Sequence, residues 1–119
     1  MIPIHADLHV WNINTDKDNF YILDFDDCGL ALPVWDMAVT LYYHANESNF
    51  NDYLASYMKG YSSVRPLPFS DMNTLKMRML GRGLTLINDV VTWENSKIAE
   101  ELPEIFDRVE ARLKKIKIL

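Results

Sequence analysis

Cysteine, glycine and basic residues are all scarce in this sequence, and each scarcity excludes something. Cys28 is the only cysteine, so no internal disulfide can form. Up to Met58 the only lysine or arginine is Lys17, which makes the first half a poor surface for nucleic acid. No apolar run approaches the ~20 residues that a membrane span needs. The start, Met1-Ile2-Pro3-Ile4-His5, has neither the basic nor the apolar region of a signal peptide. These absences together favour the cytoplasm. There is no repeat, low-complexity stretch or linker.

What is present is a globular composition. The 119 residues are 49% hydrophobic and 24% charged, the size of one domain with one modest core. The net charge of −5 is unevenly spread. Asp7, Asp16, Asp18, Asp24, Asp26, Asp27, Asp36, Glu47 and Asp52 fill the first half, while Arg108, Arg112, Lys114, Lys115 and Lys117 gather near the end. An acidic half suits divalent cations or a cationic substrate. The plain alternative is a solvated acidic face.

Residues 1–32 read as short strands and loops. Phe20 to Leu23 is a buried-strand candidate, and the polar cluster Thr15 to Asn19 makes it the second arm of a β-hairpin whose first arm is Asn12 to Asn14. Residues 33–119 read as helical. Val34, Ala38, Leu41 and Ala45 recur at helical spacing after Pro33. A second helix spans Asn49 to Gly60, with Ser48 as its cap and Gly60 as its stop. Ser70 would cap a long helix to about Trp93, in which Gly81 and Gly83 either kink the chain or admit a close neighbour. A last helix begins near Pro103, with Ile105, Val109, Leu113 and Ile116 as its apolar stripe. The fold class expected is α+β, mostly helical, in a single domain over 1–119.

The chemistry lies in His5-Ala6-Asp7-Leu8-His9-Val10-Trp11-Asn12 and, after the hairpin, Asp24-Phe25-Asp26. Two carboxylates and an amide brought together by a hairpin could ligate a hard divalent cation through oxygen. A further carboxylate in a loop could accept a proton from a hydroxyl. Phosphoryl transfer needs this inventory. His9 and His44 read as packed or surface histidines, and Cys28 as an inert thiol.

The spacing His5-x-Asp7-x-x-x-x-Asn12 followed by Asp24-Phe25 resembles the catalytic loop and metal-binding pair of protein kinases. With Leu23-Asp24-Phe25-Asp26-Asp27-Cys28-Gly29 and Trp35-Asp36-Met37-Ala38 added, the wording is closer to the small-molecule kinases. That family holds aminoglycoside phosphotransferases, choline kinases and type II homoserine kinases. The resemblance covers about residues 4 to 43. It implies the C-terminal lobe of a protein-kinase-like fold. It also implies transfer of the γ-phosphoryl group of ATP to a substrate hydroxyl, with magnesium. In that reading Asp7 is the catalytic base, Asn12 and Asp24 are the magnesium ligands, and His5 and Asp36 support the loop. The acidic charge favours a cationic acceptor.

The sequence departs from the family pattern in three places. Ala6 stands where a glycine is usual, a costly exchange if φ is positive there. Val10-Trp11 replaces Pro-Gly and puts a bulky side chain on the loop. No glycine-rich loop or lysine precedes the catalytic loop, since the glycines are Gly29, Gly60, Gly81 and Gly83. The expectation is therefore a truncated or partial phosphotransferase that binds ATP weakly and shows little or no turnover by itself. Apolar surface left for the missing lobe would receive an N-lobe partner or a second copy. One alternative is a non-catalytic dimerising or interaction module. Another is a metal-dependent hydrolase built on His5, Asp7, His9 and Asp24.

Overall fold

In a computed structural model of the chain, which describes residues 1–92 and 96–118, two small sheets precede four helices. Strand β1 (Ile2–Ile4) pairs antiparallel with β4 (Gly29–Ala31), with Pro3 opposite Leu30. Strands β2 (Ile13–Asp16) and β3 (Asn19–Ile22) form a hairpin in which Asp16 faces Asn19. Lys17, in the tight turn between them, has a φ of 52°. The helices are α1 (Val34–Tyr42), α2 (Phe50–Ser62), α3 (Met72–Thr92) and α4 (Ser96–Ile118). None of the described helices is long and apolar enough to cross a membrane.

The core lies among the helices. Val34, Met37, Ala38, Leu41, Tyr42 and Ala45 from α1 and its C-terminal turn are buried against Phe50 of α2, Leu75 and Met79 of α3 and Ile116 of α4. This follows from the period-3.6 apolar pattern, which puts one face of each helix inward. Gly83 allows the tightest approach. A Cβ there would lie 2.6 Å from Leu113 Cδ2 of α4 and 3.2 Å from the Tyr42 ring. Of the two readings of the α3 glycines, close approach is the one that holds at Gly83.

Four local expectations are corrected. Phe20 to Leu23 is a strand arm but is not buried: Phe20 is 75% exposed and Ile22 49%. The hairpin pairs only with itself, so its apolar side chains meet no second layer. Gly60 does not stop α2, because no glycine takes positive φ. The helix ends instead where Ser63 Oγ donates to the Gly60 carbonyl at 2.7 Å. Asn49 rather than Ser48 precedes α2, and Asp71 rather than Ser70 caps α3, accepting from the Asn73 N–H at 3.0 Å. Finally, α4 starts at Ser96, and Pro103 lies inside it. Proline's ring fixes φ near the helical value, so it removes one ladder bond without ending the helix. Trp93, the expected end of the third helix, lies outside the described residues.

Two tyrosines titrate above their ordinary value. Burial pushes the Tyr42 phenol above 10.0, with the Arg112 guanidinium opposing in part. Burial also raises Tyr57, opposed by the Thr40 hydroxyl. Tyr42 is 0% exposed, and its hydroxyl finds no hydrogen bond of good geometry.

This packing fixes what glycine and tyrosine variants should do to stability. Gly83→Ala inserts a methyl into a filled gap, at ~1–3 kcal/mol against ~1 kcal/mol of helix propensity gained. The melting temperature should fall by on the order of 5 °C. Gly60→Ala, open on all sides, should raise it. A raised folded-state pKa stabilises fully below the unfolded value and is lost as pH rises past it. Melting temperature should therefore hold to about pH 9 and drop above about pH 10. Tyr42→Phe should shrink that drop without lowering stability at neutral pH, since it removes an unpaired hydroxyl.

Candidate active site

The loop between β1 and the hairpin is fastened to α1 by a single carboxylate. Asp36, in the first turn of α1, accepts from the backbone N–H of His5 at 2.9 Å and of Ala6 at 2.7 Å. Trp35 Nε1 donates to the Ala6 carbonyl at 3.3 Å, and Thr40 Oγ1 to the Leu8 carbonyl at 2.5 Å. One face of α1 thus satisfies successive polar groups of the loop backbone. Ala6 has a φ of 69°, in the left-handed region that favours glycine. The bonds from Asp36 and Trp35 on either side of its peptide hold it there.

His5 ties the loop to the turn after the hairpin. Its Nε2 donates to the Leu23 carbonyl at 2.8 Å, and its Nδ1 accepts from the Asp7 N–H at 3.3 Å. Both bonds fit the Nε2-protonated tautomer. The His5 ring also meets the Phe25 ring, with centroids 4.7 Å apart.

Asp7 is held on both oxygens. Oδ2 lies 3.2 Å from His9 Nε2 and 3.4 Å from Asn12 Nδ2. Oδ1 pairs with Nη2 of Arg82, from α3. The same Nη2 donates to the Tyr43 hydroxyl at 2.9 Å. A carboxylate offers about four lone-pair sites, so these partners orient Asp7 and leave it able to accept one more proton donor. His9 packs edge-on against Trp11 and Tyr43, at 5.3 and 5.0 Å. Trp11, 68% exposed, lies across the loop rather than inside it.

Asn12 is buried in the 3₁₀ turn Val10–Asn12, and its Nδ2 donates to the Asp7 carbonyl at 2.9 Å. That use of the amide nitrogen leaves the amide oxygen unspent. Asp24, with a φ of 61°, is exposed, and no protein hydrogen bond holds its carboxylate among the described residues. The Leu23 N–H donates to the Asn12 carbonyl at 2.9 Å, tying the two segments at the base of the hairpin. Two unspent oxygen donors on tied segments fit a hard cation such as magnesium. Magnesium is commonly bound through one or two protein carboxylates plus substrate phosphates. Among the described residues no three His, Cys, Asp or Glu side chains cluster as a metal site. A hydrolase centre of His5, Asp7, His9 and Asp24 therefore does not form.

The sequence reading missed Arg82, Tyr43 and Arg112. Arg82 sits 75 positions from Asp7 and belongs to no motif. Its one sequence signal is its place between Gly81 and Gly83, where α3 comes close to Trp35 and to Tyr42.

Ala6→Gly should stabilise the protein. It removes left-handed strain of ~1–2 kcal/mol, against ~0.5–1 kcal/mol of added chain entropy. A higher denaturant midpoint at unchanged slope would agree. A lower one would mean that the Ala6 methyl packs usefully.

The model of the phosphotransferase enzyme family matches residues 2–67, which span the loop, the hairpin, α1 and α2. No curated protein and no solved structure matches the chain. The matched stretch is more than half of the 119 residues and contains every residue of the loop motif, so the chain belongs to the phosphotransferase enzyme family, the family of aminoglycoside phosphotransferases and choline kinases.

Proposed function

We propose that this chain is the catalytic-loop half of an ATP-dependent small-molecule phosphotransferase, folded as the helical C-terminal lobe of a protein-kinase-like enzyme. The observation that carries this is the arrangement around Asp7. Its carboxylate is oriented on both oxygens, and the two unspent oxygen donors, Asn12 Oδ1 and Asp24, stand on segments tied at the hairpin base. Phosphoryl transfer is mostly positioning and charge stabilisation, and this arrangement supplies both.

In the reaction, the acceptor hydroxyl oxygen bonds to the γ-phosphorus. The bond from that phosphorus to its bridging oxygen breaks, ADP leaves with the electron pair, and the hydroxyl proton goes to Asp7. Magnesium, when bound with ATP, offsets the charge of the phosphate oxygens. Asn12 and Asp24 would hold it. Asp36 and His5 act through the backbone, keeping the loop and the Asp24 turn in one register. These are positioning roles.

The nucleotide needs a clamp that residues 1–119 do not hold in any recognisable motif. Phe20, Ile22, Phe25 and Leu30 are exposed apolar side chains that such a clamp could cover. Covering each would contribute ~1.5–3 kcal/mol at most. A lobe supplied by a partner or by another stretch of chain is the occupant this reading requires. A second copy would give the non-catalytic dimer instead.

A calorimetric titration with Mg-ATP tests the reading. Weak saturable binding is expected, reduced at least about tenfold in Asp24→Asn, which removes one charge-assisted ligand. Equal binding by both proteins, or none by either, would sink the claim that these residues form a nucleotide-metal site.

A further inference from the structure

On the side of Arg82 and Arg112 the surroundings of Asp7 carry charge of the opposite sign to the chain as a whole. A cleft of about 110 Å³ opens between α1, α3 and α4, lined by Tyr43, Leu86, Val90, Val109 and Arg112, with Arg108 also on its wall. A single water needs only about 10–15 Å³ by the same kind of measure, so a carboxylate or phosphate group has room. Tyr43, at the end of α1, lines this cleft and also packs against His9 and Trp11 of the loop. Its hydroxyl accepts from the Arg82 Nη2 that pairs with Asp7.

Arg112 is the unexplained group. Its guanidinium carbon lies 5.4 Å from the Tyr42 ring centroid and 5.5 Å from that of Tyr43. Its Nε is buried and meets no acceptor, and the same holds for Arg82 Nε. Among the described residues no carboxylate forms an ion pair with Arg112, whereas Arg108 is neutralised by Glu104 at 3.0 Å. Among the described residues no acidic side chain lines the cleft. Stacking on aromatic rings contributes ~0.5–2 kcal/mol and the Tyr42 hydroxyl lies close to the guanidinium, but neither supplies a negative charge or an acceptor for Nε. A partly buried guanidinium without a counterion is unfavourable, and its planar fork matches a carboxylate or phosphate.

We infer that this cleft binds the anionic group, a carboxylate or a phosphate, of a small hydroxyl-bearing molecule. Arg112 receives the anion, and Tyr43 and Arg82 link that site to Asp7. Calling the molecule the phosphoryl acceptor rests on the function proposed above. The anion binding itself does not. The chain-wide negative charge favoured a cationic acceptor, but the acidic residues Asp16, Asp18, Asp26 and Asp27 lie on or beside the hairpin, away from this cleft.

The test is a titration followed through the Nε–Hε NMR signals of Arg82 and Arg112. The probes are glycerate, glycerol 3-phosphate, glycerol and ethanolamine. Saturable shifts are expected with one or both anions and not with glycerol or ethanolamine, and the tighter anion identifies carboxylate or phosphate as the group preferred. Arg112→Gln should weaken the anion at least about tenfold, as loss of a charge-assisted pair does, while Lys114→Gln on the exposed face of α4 should change it less than about twofold. Arg112→Lys keeps the charge and loses the fork, so it should also weaken binding even where Arg112→Gln disturbs the fold. Asp24→Asn should leave the anion titration unchanged, so a failure of the nucleotide reading appears only in the Mg-ATP experiment. Binding of ethanolamine in preference to the anions would overturn the inference. So would anion binding unaltered in both Arg112 variants, or no saturable shift with either anion.

Discussion

The Asp36 carboxylate is the constraint on which the rest of the site depends. It sits in the first turn of α1, where the helix dipole favours negative charge, and it accepts two backbone N–H groups from the loop. Those donors flank and include Ala6, the residue with left-handed φ. A strained backbone persists only where its surroundings over-determine it. Here they do: Asp36 from one side, Trp35 Nε1 on the Ala6 carbonyl, and Thr40 on the Leu8 carbonyl. Because α1 is also the most buried helix, the loop inherits the rigidity of the core rather than that of a surface connection.

A second connection reaches the loop from far along the chain. Arg82 on α3 meets Asp7 because Gly83 lets α3 approach Tyr42 of α1 and Leu113 of α4. The side chains of Arg82 and Asp7 are only 11% and 19% exposed, so the pair is screened less than a surface salt bridge and holds its geometry more firmly. Residues 2–67 carry the family's motif, but the environment of its central carboxylate is completed by Arg82 of α3.

Much of the loop was legible in the sequence, because its residues lie within a few positions of one another and their spacing reflects local backbone geometry. The hairpin arms were legible from an apolar run beside a polar turn cluster, and the inward face of α1 and the apolar stripe of α4 as period-3.6 patterns. The positive φ of Ala6 could be anticipated as a condition, since a glycine is usual there. Burial of the hairpin could not be read. Phe20, Tyr21 and Ile22 have the composition of a core strand, and only tertiary context reveals that nothing packs on them. Helix ends failed where a single residue was asked to decide, as at Gly60 and Pro103. There the helix had enough packing to continue through a weak position. Arg82 and Arg112 were invisible because a lone arginine in an amphipathic helix ordinarily marks the solvated face.

The two sides of Asp7 differ in kind, and the difference bears on mechanism. Toward Asn12 and Asp24 the donors are oxygen atoms, and Asp24 is exposed at the base of an uncovered hairpin. Toward Tyr43, Arg82 and Arg112 the surroundings are cationic and aromatic. On the proposed reading, the first side receives a polyanion through a metal and the second receives an acceptor. Two guanidinium groups on the acceptor side then divide the work. Arg82 holds Asp7 in position when no acceptor is bound, and Arg112 attracts an anionic acceptor that bare Asp7 would repel. The ion pair orients the base, while the second guanidinium would select the sign of the molecule presented to it.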